Sequence, residues 1–72
     1  MRVLKRGNIE YLEVELEHVN PEYDGKVYYI QMDEIKLLSD EGENVMEIIV
    51  QYSTLDNNVI RVKGSTKEFF SL

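Results

Sequence analysis

The stretch Tyr11-Leu12-Glu13-Val14-Glu15-Leu16-Glu17-His18 decides how this chain is read. Leu12, Val14 and Leu16 alternate with Glu13, Glu15 and Glu17. Successive side chains of a strand point to opposite faces, so a period of two predicts a half-buried strand, whereas a helix would scatter both sets around its axis. The even positions then define a core face, and the odd positions carry a row of three carboxylates.

Upstream, Gly7-Asn8 fits a two-residue hairpin turn, since both residues tolerate positive φ. That turn sets Lys5 opposite Glu10, Arg2 opposite Glu13 and Val3 opposite Leu12. Each such opposite-charge or apolar pair is worth roughly 0.2–1 kcal/mol. Downstream, Asn20-Pro21 and Asp24-Gly25 are turn signals. The next strand, over 26–32, is expected to place Tyr28, Ile30 and Met32 opposite Leu16, Val14 and Leu12. Its other face then sets Val27 against Glu17, Tyr29 against Glu15 and Gln31 against Glu13.

Met32-Asp33-Glu34-Ile35 reads as a tight turn or a single helical turn. The spacing of Tyr28, Met32, Ile35 and Leu38 also suits a helix over 34–39 capped by Asp33. The β-branched and aromatic run Val27-Tyr28-Tyr29-Ile30 favours strand. A strand over 35–39, with Ile35 and Leu37 on one face, and a four-residue loop over 40–43 would pair Leu37 with Met46 and Ile35 with Ile48. The strand over 45–54 turns Met46, Ile48, Val50 and Tyr52 inward. A three-residue loop over 56–58, with Asn58 in the left-handed region, would pair Tyr52 with Val62 and Thr54 with Ile60. Gly64 ends the strand over 59–63. Ser65-Thr66-Lys67-Glu68 fits a reciprocal capping box opening a helix over 66–72, with Phe69 and Leu72 toward the sheet. Two turns of helix require docking to persist. The expected fold is a single small domain over 1–72, mainly β: an antiparallel sheet or partly open barrel of five to six strands with a short C-terminal helix.

Composition bounds the function. Seventy-two residues, 43% of them hydrophobic, support one core; a chain of that size buries only about 60% of its unfolded surface. Without cysteine, disulfides and thiolate metal sites are excluded. No apolar run approaches the roughly 18 residues of a membrane span, and the N-terminus lacks a signal peptide's apolar stretch, so a cytoplasmic protein is expected. A net charge of −6 disfavours nucleic acid and anionic membrane surfaces as partners and permits a basic protein.

Residues 29–72 carry Tyr-Ile-Gln-Met-Asp-Glu-Ile (29–35), a hairpin, and Val-Ile-Arg-Val-Lys-Gly-Ser-Thr-Lys-Glu-Phe (59–69). This order resembles the strand, turn, strand, strand and short-helix rhythm of LytTR-type DNA-binding domains, and is similar to the small FlbD-type flagellar proteins. The resemblance implies architecture; no functional residue transfers, because LytTR-type domains bind DNA through basic loops and this chain is acidic with scattered basic residues.

Glu13, Glu15 and Glu17 form a line of carboxylates with roughly 6.8 Å between neighbours, suited to a cationic partner or to imitating a nucleic-acid backbone. The same residues also fit a solvated strand face paired with Arg2 and with basic residues of adjacent strands. Tyr11 and Tyr29 flank the row. Leu4, Ile9, Val27, Val45, Ile49 and Val59 lean outward with them, and contiguous apolar surface of that kind marks an interface unless the C-terminal helix or barrel closure covers it. Tyr11, Glu13, Glu15, Glu17 and Tyr29 are therefore the candidate binding surface. His18 beside Glu17 and Glu22 has no metal-ligand spacing, the serines lack a nucleophile elbow, and the isolated glycines form no phosphate loop. The chain is expected to be no enzyme and to use no metal, cofactor or small molecule. It reads as a protein-interaction module, of the adaptor or inhibitor kind that bacterial mobile elements or phages carry. The alternatives are a homo-oligomer joined through a sheet edge or outer face, and a regulatory or nucleic-acid-binding module that the charge disfavours.

Overall fold

The computed structural model describes residues 1–51 and 58–72. Among these residues six strands are present: β1 (Arg2–Arg6), β2 (Ile9–Glu15), β3 (Val27–Gln31), β4 (Ile35–Gly42), β5 (Val45–Val50) and β6 (Val59–Lys63), followed by helix α1 (Thr66–Phe70). They form two three-stranded antiparallel sheets, β1-β2-β3 and β4-β5-β6, with no closed barrel. Among the described residues no helix is long and apolar enough to cross a membrane.

Strand β2 has the anticipated dry face: Leu12 and Val14 are buried and join Ile30 of the first sheet with Met46, Ile48, Val50 and Val62 of the second in one core. The β1–β2 register pairs Arg2 with Glu13, Val3 with Leu12 and Lys5 with Glu10, as the turn residues dictate. Gly7 alone takes positive φ, at 60°, so the turn is not of the type that needs left-handed geometry at both central residues.

β2–β3 differs from expectation by two residues. Leu12 pairs with Ile30, Glu13 with Tyr29, Val14 with Tyr28 and Glu15 with Val27. The connecting turn sets this shift. The Tyr23 and Asp24 amides both bond the Asn20 carbonyl, the Gly25 amide bonds Leu16 O and the Leu16 amide bonds Lys26 O, so the strand restarts nearer to Leu16. An even slip preserves the faces, and for that reason alternation alone does not reveal it.

Met32–Glu34 forms a 3-10 turn and the next segment is strand, not helix. β4 extends to Gly42, and its loop is two residues, Glu43-Asn44, with Asn44 at φ 57°. The expected four-residue loop is thereby corrected: Leu38, not Ile35, lies opposite Ile48, Asp40, not Leu37, lies opposite Met46, and Ile35 lies opposite Val50. Irregularities between Ile35 and Leu37 and between Asp40 and Gly42 absorb the offset. Leu37 is consequently 55% exposed, whereas Ile35 and Leu38 pack on the core.

β6 is also displaced: Met46 faces Val62 and Ile48 faces Ile60, in place of Tyr52 and Thr54. The Val50 amide bonds Asn58 O, so the connection is longer than three residues. Tyr52 and Thr54 of the expected strand, and residues 56 and 57 of the expected loop, lie outside the described residues.

The two sheets meet along a short seam. Leu16 pairs with Val62, the Glu17 amide bonds Arg61 O, and the ion pairs Glu17–Arg61 (2.6 Å) and Asp24–Lys63 (3.4 Å) lie beside it. Helix α1 is fixed to β4 by Asp40, whose carboxylate accepts from the Thr66 amide (2.9 Å) and hydroxyl (2.6 Å). Ser65 Oγ accepts from the Glu68 amide as anticipated. Glu68 does not complete the box; its carboxylate bonds the Met1 ammonium at 2.9 Å. The helix ends at Phe70, and only Phe69 reaches the core; Leu72 stays largely exposed.

Candidate functional site

The outer face of the first sheet is a grid fixed by register. Across the strands run Arg2, Glu13 and Tyr29 in one row, and Leu4, Tyr11 and Gln31 in the next. Tyr11 and Tyr29 are therefore diagonal neighbours, within reach of one another's long side chains. The two-residue shift of β3 creates this proximity; in the expected register Glu15, not Glu13, would face Tyr29. Tyr11 and Tyr29 line an open groove of about 550 Å³ with Leu4, Lys5 and Arg6. Tyr29 is 54% exposed and Tyr11 half-buried. Helix α1 packs on β4, so it does not cover this face.

The carboxylate row has three different fates. Glu13 is held by Arg2 through two bonds, Nε to Oε1 at 2.9 Å and Nη2 to Oε2 at 3.2 Å. The Arg2 contact keeps the Glu13 carboxyl below its ordinary range, and hydrogen bonding to Glu13 raises the Tyr29 phenol above its own. Glu15 makes no ion pair among the described residues; it lines a second open cleft with Met1, Asn44, Lys63, Gly64 and Glu68. Glu17 lies past the end of β2 and is turned to Arg61, which also reaches Glu47 at 3.4 Å. Of the five candidates, Tyr11, Tyr29 and Glu13 are brought together; Glu15 shares their face opposite Val27 but lines the second cleft, and Glu17 is engaged by Arg61.

Sequence reasoning missed the basic half of the groove, Lys5 and Arg6. The signal was available, since Leu4 pairs with Tyr11 and the hairpin carries its neighbours to the same end. It also missed Arg61 as the partner of Glu17, because β6 comes from the other end of the chain. His18 serves the turn: its Nδ1 accepts from the Asn20 amide (2.9 Å), its amide donates to Asp24 (3.1 Å), and its ring meets Tyr23 edge-on. Among the described residues no group of three or more acidic, histidine or cysteine side chains is placed to hold a metal ion. No protein-family model, curated protein or solved structure matches the chain.

Proposed function

We propose that the chain is a non-enzymatic, small acidic protein-interaction module of the adaptor or inhibitor kind, and that it contacts its partner through the outer face of the β1-β2-β3 sheet. The observation that carries this reading is the uncovered pair Tyr11 and Tyr29 in one groove with Leu4, Lys5 and Arg6. Tyrosine offers contact area at low entropic cost together with a polar tip, and interfaces are enriched in it. The groove holds cationic side chains, and Glu13 is already neutralised by Arg2. The complementary surface is therefore mixed, with an apolar centre and an acidic flank meeting Lys5 and Arg6. The whole acidic row is a weaker anchor, since Glu17 is engaged by Arg61.

Partner capture from an extract of the source cells tests this. The Tyr11→Ser and Tyr29→Ser variants should lose the species retained by the parent chain, whereas Glu17→Gln should keep it. Unchanged capture by both tyrosine variants would remove this face as the contact surface.

A further inference from the structure

Among the described residues four strand edges border the two sheets, and three are guarded. β1 carries Arg2, Lys5 and Arg6 within five residues. β4 is irregular at two places and is held by α1 through Asp40. β6 carries Arg61 and Lys63 and pairs with Leu16 at Val62. Such charges, bulges and covers are how proteins blunt an edge. β3, Val27-Tyr28-Tyr29-Ile30-Gln31, has no charge, no proline and no irregularity in its register.

The edge is open in detail. The Leu16 amide bonds Lys26 O, and antiparallel pairs alternate between bonded and non-bonded. The even residues of β3 therefore bond β2, and the odd ones direct their amides and carbonyls away from it. Outside the β2–β3 pairing, no backbone hydrogen bond of Val27 or Tyr29 is present among the described residues. Three consecutive side chains on this edge, Val27, Tyr28 and Tyr29, are 46%, 46% and 54% exposed, so both faces of the strand offer apolar area to a neighbour.

We propose that β3 is the interface of a homodimer, pairing antiparallel with β3 of a second copy about a twofold axis at Tyr29. In that register Tyr29 faces Tyr29 of the second copy, Val27 faces Gln31, and Tyr28 faces Ile30. Every outward-pointing odd residue meets another odd residue, and each core-side residue meets a core-side residue, so the edge is its own complement. Charge favours a second copy over a charged partner. The chain carries −6, yet β3 has no ionisable charge at neutral pH, and on the adjoining outer face Arg2 and Arg6 balance Glu13 and Glu15. The inference concerns the edge of β3, whereas the heterologous reading concerns the sheet's face. The two are separable because the test uses the purified chain alone.

Sedimentation or light scattering should show mass rising from 8.5 kDa toward twice that value between low- and high-micromolar protein. Tyr29→Lys sets like charges face to face across the axis and should weaken the dimer by about tenfold or more, while in the monomer the new side chain remains beside Glu13. The chain has no cysteine, so a single introduced one reports cleanly. Bonded antiparallel partners have Cα atoms about 5.5 Å apart, inside the disulfide range. Tyr29→Cys should therefore oxidise rapidly to a reducible dimer, and Leu37→Cys, equally exposed on the other sheet, should not. A chain that stays monomeric throughout, a dimer indifferent to Tyr29→Lys, or equal oxidation of the two cysteine variants would overturn the proposal. If Tyr29→Lys loses the fold by circular dichroism, the cysteine pair decides alone.

Discussion

Ile35 and Leu38 lie three residues apart on one strand and pack on the same core. In a regular strand an odd separation sends side chains to opposite faces. The irregularity between Ile35 and Leu37 adds the residue that reconciles them. Leu37, between them in the pattern, is thrown outward.

That arrangement separates two adjacent leucines. Leu38→Ala should destabilise the fold by about 2 kcal/mol, near the low end for a partly buried leucine, and Leu37→Ala by less than about 0.5 kcal/mol. Urea denaturation of the two variants measures this. The reverse order would refute the β4 register.

The start of α1 is sensitive to small changes. Gly64 sits at φ 139°, and a Cβ there would lie 2.5 Å from Met1 Cε and 3.1 Å from Glu68 Oε1. Gly64→Ala should therefore cost about 1–3 kcal/mol. Ser65→Ala removes the acceptor for the Glu68 amide and should cost about 1 kcal/mol. Thermal melts of both variants, monitored by circular dichroism, provide the comparison.

Acid should weaken the protein. Glu13 is held below its usual range by Arg2, Asp24 by the His18 amide and Asp40 by Thr66. A lowered folded pKa means that the unfolded chain binds more protons. The associated stability is thus present above the ordinary values of 4.5 for Glu13 and 3.8 for the two aspartates, and is lost as pH falls through the folded ones. Melting temperature should be flat near neutrality and fall below about pH 4.5. Asp40→Asn should flatten part of that decline. A melting temperature that rises on acidification would contradict the assignment.

The three glutamates should behave differently. Glu17→Gln breaks the Arg61 pair at the seam and should lower the melting temperature, more so at low salt. Glu15→Gln breaks no ion pair among the described residues and should leave it nearly unchanged. Equal effects would indicate a uniform solvated row.

Nucleic acid should not be retained. Arg2, Arg61 and Lys63 are paired with carboxylates, which leaves few cations to neutralise phosphates on a chain of net charge −6. A gel-shift titration at low salt should show no mobility change.

Several elements were legible because their signals are local. The Gly7-Asn8 turn determined the first register, and the Leu12/Val14 alternation determined the core face. Met46, Ile48 and Val50 turned inward as their alternation required, and Ser65 capped its helix. Faces survived where registers did not: β3 and β6 slipped by even numbers of residues, which preserves the pattern that alternation reports. The β4 register slipped by an odd number, and there the face assignment of Leu37 failed with it. The spacing of Met32, Ile35 and Leu38 did report a shared side, produced by a 3-10 turn and a bulge and not by a helix. At the site, Tyr11, Glu13 and Tyr29 were placed on one face from sequence. Their mutual proximity depended on turn geometry at Asn20–Gly25, and the roles of Arg61 and Lys63 depended on contacts between distant parts of the chain.

The seam between Glu17 and Arg61 joins residues 44 positions apart, while every pairing within the two sheets joins strands adjacent in sequence. Each sheet is a meander that closes through short connections, and loop-closure entropy grows with the length to be closed. The order of assembly follows from this. The two meanders should therefore form before they dock at Leu16 and Val62. On the return path, the Glu17 amide should exchange with solvent before the amides bonded within the two sheets, because opening the seam breaks none of their ladders.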